Sequence, residues 1–308
     1  MILLYVVIAS ILLIGVLIWV LKIISTTYLD LYEKGLVALS KQDYQKAKKL
    51  FSGSLAKNPD FTDAKYNLAL AYLGLEDYEE ARAFFEAVLE DTPDDFNTLF
   101  NLALVCQLDG HYDEAMEIYE KAILVDPQDV DCYLNIALIH FEKKDYQKTF
   151  EFLTMAREMA PDKIEILFTI ARCKDELCNY DNEAEVEAVL AEYEALVERK
   201  DLPEDFDISL AKAYAKAGRS TQAIEFCTKV VMEDYFNDEA LRLLGLLLLI
   251  KNDADNARKT ILKAIDVEPD IPEAYNLLAY VSLLEKNNDE FVKAKTKYKN
   301  ILTASKSK

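Results

Sequence analysis

Tyr66-Asn67-Leu68-Ala69-Leu70-Ala71-Tyr72-Leu73, followed by Gly74-Leu75-Glu76-Asp77 and then by Ala81, Phe85, Val88 and Asp91-Thr92-Pro93, decides the fold. Leu68, Ala69 and Tyr72 recur at i, i+1 and i+4, the spacing of one helix face. The Gly74–Asp77 turn breaks that helix. A second helix places Ala81, Phe85 and Val88 on one face. It ends before Pro93, because proline lacks an N–H and clashes with the preceding turn. The same order returns along the chain: Pro59, Pro93, Pro127 and Pro161 stand 34 residues apart. Ala47, Phe51 and Pro59 precede the quoted unit in register, and Ala115, Tyr119 and Pro127 follow it. Phe100-Asn101-Leu102-Ala103 repeats Tyr66-Asn67-Leu68-Ala69. A fixed period of this length marks a repeat array. One helix pair cannot bury its apolar face alone, so stacked neighbours share a continuous core.

The period, the small and aromatic positions and the closing proline resemble the tetratricopeptide repeat family, a 34-residue helix–turn–helix unit. The resemblance covers nearly everything after residue 28. It implies an all-α fold, an α-solenoid wound as a right-handed superhelix of about eight repeats, here preceded by one transmembrane helix. Units fall at about 28–61, 62–95, 96–129 and 130–163, then 204–237 and 238–271, with a capping pair over 272–303. Pro269 follows Pro161 by 108 residues, six more than three periods. The unit between, 164–203, therefore holds an insertion. It is also divergent, with Asn182-Glu183-Ala184-Glu185-Val186-Glu187 in its second helix and Lys200-Asp201-Leu202-Pro203 as an exposed connection. In the cap, Phe291, Ala294, Tyr298 and Ile301 form one face and Lys293, Lys295, Lys297 and Lys299 another.

Residues 2–21 carry no charge and one polar side chain, Ser10. About 20 helical residues cross a ~30 Å hydrocarbon core, so residues 1–24 are expected to form an uncleaved single-pass anchor ahead of the array at 25–303. A cleaved signal would have a basic start and a shorter apolar stretch. Lys22, Lys34 and Lys41 follow the span and none precedes it, which places the array in the cytoplasm. Trp19 suits the interface. The chain closes on a Lys/Ser tail, 304–308.

The net charge is −20. That field repels phosphates and argues against nucleic acid as a partner, while favouring basic partners. A solvated outer face, charged to keep arrays from stacking on one another, is the simpler account of the charge. The last eighteen residues reverse the sign locally, with six lysines and no acid. Five cysteines (Cys106, Cys132, Cys173, Cys178 and Cys227) form no CxxC pair and read as small buried hydrophobes. That usage suits a reducing compartment.

No catalytic constellation emerges, and no metal or cofactor is expected. His111 and His140 are 29 residues apart, and none of the seven glycines is close enough to another to build a phosphate loop. The enzyme class is therefore set aside in favour of binding.

The family resemblance places one side of each first helix on a concave groove. Tyr66, Leu70 and Leu73 fall there, with Phe100, Leu104 and Leu108, with Leu134, Leu138 and Phe141, and with Tyr32, Leu36 and Leu39. An apolar stripe of this kind marks a binding surface. Asn67, Asn101 and Asn135 form a ladder beside it. In the family such asparagines either hold an extended peptide backbone or tie adjacent helices, and both roles stay open. The basic clamp that some members use for acidic tails is replaced by Tyr32, Leu36, Asn97 and Asn101. Arg172, Lys212, Lys216 and Arg242 put positive charge on the groove of later units. The expected partner is a protein or peptide with an apolar or amphipathic segment and basic flanks, bound by a membrane-tethered adaptor. The alternative is a homo-oligomer whose groove closes on a second copy.

Overall fold

In a computed structural model, residues 27–305 are described. Among them are sixteen helices and no strand. The chain divides into two compact units between Met159 and Ala160. The first holds α1 (Thr27–Ser40), α2 (Tyr44–Leu55), α3 (Thr62–Leu73), α4 (Tyr78–Asp91), α5 (Phe96–Leu108), α6 (Tyr112–Val125), α7 (Val130–Glu142) and α8 (Tyr146–Met159). The second holds α9 (Ile164–Leu177), α10 (Glu183–Glu194), α11 (Phe206–Lys216), α12 (Ser220–Glu233), α13 (Asp238–Ile250), α14 (Ala254–Val267), α15 (Pro272–Leu284) and α16 (Asn288–Ser305). Each odd helix pairs with the even helix after it, and each hairpin stacks on the next within its unit.

The residues that start and stop these helices recur as the prolines do. Asp95 and Asp129, two residues past Pro93 and Pro127, cap α5 and α7 by accepting the backbone N–H of Thr98 and of Cys132, each at 2.8 Å. Each hairpin turn but one holds a left-handed residue in the same register: Gln42, Glu76, Gly110 and Lys144, then Gly218, Asn252 and Lys286. The exception is the divergent unit, where Cys178 closes α9 in an extended conformation. Its extra residues are shared between that turn and an eleven-residue connection, 195–205. Lys200 and Asp201 are exposed there, as expected, but Leu196 is buried and Leu202 packs on the core, so the connection is pinned at both ends. The acidic run opens α10, where carboxylates meet the positive end of the helix dipole.

The core is built on one close approach. In every unit a first-helix position in constant register is Gly or Ala: Gly35, Ala69, Ala103 and Ala137, then Ala171, Ala211, Gly245 and Ala279, all buried. Phe51, Phe85 and Tyr119 lie opposite in the first unit and Ile261 in the second, all fully buried. A Cβ at Gly35 would stand 2.5 Å from the Phe51 ring, and one at Gly245 2.6 Å from Ile261. Ion pairs then bridge neighbouring hairpins. Arg82 reaches Glu114 with both terminal nitrogens, at 2.9 and 2.6 Å, and Arg258 holds Glu285 and Glu290 together.

No helix among the described residues is long and apolar enough to cross a membrane. The anchor expected over residues 1–24 lies outside the described residues and is without structural support.

Gly35→Ala separates helix propensity from packing. Alanine favours a helix interior by about 0.8–1 kcal/mol over glycine, yet here the methyl overlaps a rigid ring. Overpacking costs about 1–3 kcal/mol, so the variant is expected to unfold at lower urea. A midpoint equal to or above that of the parent would refute the close-approach account.

Candidate functional site

The expected binding stripe in the first unit is largely consumed by packing. Tyr66 sits edge-on to Phe85 and Phe100 edge-on to Tyr119, both at 5.7 Å between ring centres. Leu70 and Leu73 are half-buried against the same core, and Leu104 and Leu138 are half-buried too. Leu134 is buried, 6 % exposed, and offers no surface to a ligand; this corrects its place among the groove residues. Of the expected stripe residues, Leu36 and Leu108 are open to solvent, and Leu29 and Val37 are exposed beside Leu36 on α1. The physical reason is crowding: an aromatic residue on a first helix meets the aromatic core position of its own second helix before it meets solvent.

The asparagine ladder has bonding partners within the chain. Asn67 Nδ2 donates to the Tyr32 hydroxyl at 3.2 Å and to the Asp63 carbonyl at 2.8 Å. Asn101 repeats the arrangement one unit on, with Tyr66 at 3.0 Å and the Asn97 carbonyl at 2.7 Å. In each case one amide proton ties a first helix to the one before it, and the other closes on a carbonyl one turn back in its own helix. Burial, and the nearby Asp63 and Asp95, push the two phenols' pKa values up, so both hydroxyls stay protonated. Asn135 is half-buried; the preceding rung there is Phe100, which has no hydroxyl to accept from it.

In the second unit the groove-face cations are neutralised. Arg172 lies 3.7 Å from Asp205, Lys212 2.6 Å from Glu239, Lys216 3.0 Å from Asp175, and Arg242 2.9 Å from Asp238. The basic site expected from the sequence is a set of ion pairs, three of them between elements.

The opening is further along. A cleft of about 580 Å³ lies between α13, α15 and α16, lined by Leu246, Leu249, Ile250, Asn276, Leu277, Tyr280, Leu283, Phe291 and Lys295. That volume falls in the range of ligand sites. Ile250 is 59 % exposed, Tyr280 54 % and Leu283 52 %, with Leu246 also open. Lys295 Nζ donates to Asn276 Oδ1 at 2.8 Å across its mouth. A reading of the sequence that stops at the fourth unit misses this site, although a signal was present. Leu246 and Tyr280 stand 34 residues apart and occupy the register of Leu70, Leu104 and Leu138 within their units.

The remaining chemistry is inert. His140 is buried, stacked on Phe152, and desolvation lowers its pKa. Burial pushes the Cys106 thiol up to about 11 and the Cys227 thiol up to about 12, away from the reactive thiolate. Among the described residues no group of three potential ligands could hold a metal ion.

If the asparagines act as inter-helix ties, Asn101→Ala and Tyr66→Phe will each lower stability but will not add. The double-mutant cycle is expected to give a coupling of about 0.5–1.5 kcal/mol, the worth of one part-buried hydrogen bond. A coupling near zero in urea unfolding would remove the structural role.

Residues 38–102, 96–129 and 239–271 match tetratricopeptide repeat patterns. Solved structures agree in fold. A tetratricopeptide repeat protein from Parabacteroides merdae is 17% identical, with a TM-score of 0.66 over 83% of this chain and 99% of that one. The Cut9–Hcn1 hetero-tetramer of the APC/C is 15% identical, with a TM-score of 0.65 over 80% of this chain and 48% of that one. PilF of Pseudomonas aeruginosa is 19% identical, with a TM-score of 0.59 over 71% of this chain and 97% of that one. Such identities speak for the fold alone. No curated protein sequence matches this chain significantly. Three stretches of the chain thus match tetratricopeptide repeats, and its stacked helical hairpins share the fold of solved tetratricopeptide repeat structures.

Proposed function

We propose that this protein is a non-catalytic scaffold that holds a polypeptide segment against the first-helix side of its array. Tetratricopeptide repeats are typically non-catalytic interaction modules. One observation carries the reading: the cleft gathers four large apolar side chains open to solvent, Leu246, Ile250, Tyr280 and Leu283, in one concave place. Exposed apolar area gathered in one place marks an interaction site. In the first unit, taken by itself, Leu36 and Leu108 are open, and the ladder amides retain their carbonyl oxygens as acceptors for a peptide N–H.

Anchoring by residues 1–24, with the array in the cytoplasm, completes the reading. A tethered array raises the local concentration of its partner at the membrane surface. The support is the uncharged stretch 2–21 and the lysines that follow it.

The test of the binding surface is capture by the full-length chain in detergent, beside Leu246→Glu with Leu283→Glu and, separately, Leu70→Glu with Leu104→Glu. The first pair is solvent-exposed, so its helical content is expected to be unchanged. A partner lost with the first pair places binding in the cleft, and one lost only with the second moves it to the first unit. Capture indifferent to both would sink groove binding, and a chain that captures only itself would replace adaptor with oligomer. For the anchor, Leu12→Arg with Leu13→Arg adds about 2.5–3.5 kcal/mol per residue to insertion. The parent is expected to stay with membranes through alkaline washing and the variant to be released; release of both would discard the anchor.

A further inference from the structure

We infer that the cleft takes an amphipathic helical segment that brings a carboxylate to Lys295, an inference that rests on the groove reading above and specifies its partner. Leu246 and Ile250 lie one turn apart on α13, and Tyr280 and Leu283 one turn apart on α15. Two apolar pairs on adjacent helices match the i, i+3 or i+4, i+7 anchors of a helix laid into a groove.

The mouth of the cleft sets the polar half of the recognition. Lys295 is met by neutral groups, the Asn276 amide oxygen at 2.8 Å and the Tyr298 ring, whose centre is 5.4 Å away. The other groove cations of this unit, Arg172, Lys212, Lys216 and Arg242, each have a carboxylate within 4 Å. Lys293 and Lys297 flank Lys295 on α16, Lys297 meeting Asp270 at 3.4 Å, and residues 291–308 hold no acid. A segment whose Asp or Glu reaches Lys295 gives its ammonium an opposite charge where it now meets only a neutral acceptor. Asn276 is then released to bond the segment's own polar groups. The chain's overall negative charge predicts basic flanks, but this rim predicts the opposite at the point of contact.

The test uses the full-length chain in detergent to select from a displayed library of random 16-residue peptides. It is run in parallel with Lys295→Glu and with Leu283→Glu, all checked for equal helical content. The expected winners carry apolar residues at helical spacing beside Asp or Glu, and Lys295→Glu turns that acid preference to Lys or Arg. For one synthesised winner, Glu→Gln is expected to weaken binding to the parent about tenfold and to leave binding to Lys295→Glu undiminished. Winners that are apolar with no acidic preference, or a preference that Lys295→Glu leaves standing, overturn the inference while the groove reading survives. No enrichment, or enrichment that Leu283→Glu leaves intact, overturns the groove reading itself.

Discussion

Two helices of a hairpin can approach closely only where one of them has almost no side chain, and this chain meets that condition once per unit. Gly35 lies against Phe51, Gly245 against Ile261, and an alanine takes the same register in the remaining units. The close approach lets a single large residue of the second helix fill the space between the pair. It also fixes the angle at which the first helix leaves the turn, so the turn needs one left-handed residue in constant register. Gln42, Glu76, Gly110 and Lys144 supply it in turn. Four of the seven such residues are neither glycine nor asparagine, and a left-handed side chain carries a cost. The repeated geometry is therefore imposed by the helix pair and tolerated by the turn.

Stacking decides where binding surface remains. A first helix has three neighbours: its own second helix, the preceding hairpin and the following one. In the first unit these use most of the circumference of α3, α5 and α7, which is why Tyr66 and Phe100 pack into the core and Leu134 is buried. On α15 the covering element is α16, and no further first helix follows it among the described residues. Tyr280 and Leu283 are open there, as Leu246 and Ile250 are on α13, and together they line the cleft.

The helical hairpins were legible because the signals are local: a proline, a small residue and an aromatic at fixed offsets. The divergent unit was legible as an insertion of six residues but not in detail, since nothing in Lys200-Asp201-Leu202-Pro203 reveals that Leu196 and Leu202 anchor the connection. Groove residues were harder. Leu134 and Leu138 look alike in sequence, and only their neighbours make one buried and the other half-buried. The cations misled for a related cause. Arg172 pairs with Asp205, Lys212 with Glu239 and Lys216 with Asp175, partners about one repeat away, so each lysine or arginine looks unpaired until the hairpins are stacked. Lys295 looked like its neighbours on α16, and its position over the cleft depends on α15.

Net charge and local charge act at different ranges, and the cleft separates them. At physiological salt, fields decay over about 8 Å, so the charge of −20 governs approach and the lysines of α16 govern contact. An acidic segment is slowed on approach by the bulk of the molecule and held on arrival by Lys295. Basic segments are drawn in quickly and find no carboxylate at the mouth of the cleft. Long-range attraction of that kind raises association rates across many partners, whereas a single desolvated pair discriminates among them. Opposed signs at the two ranges filter out segments that are merely attracted. They leave affinity to the apolar pairs on α13 and α15, and selection to one ammonium on the helix beside them.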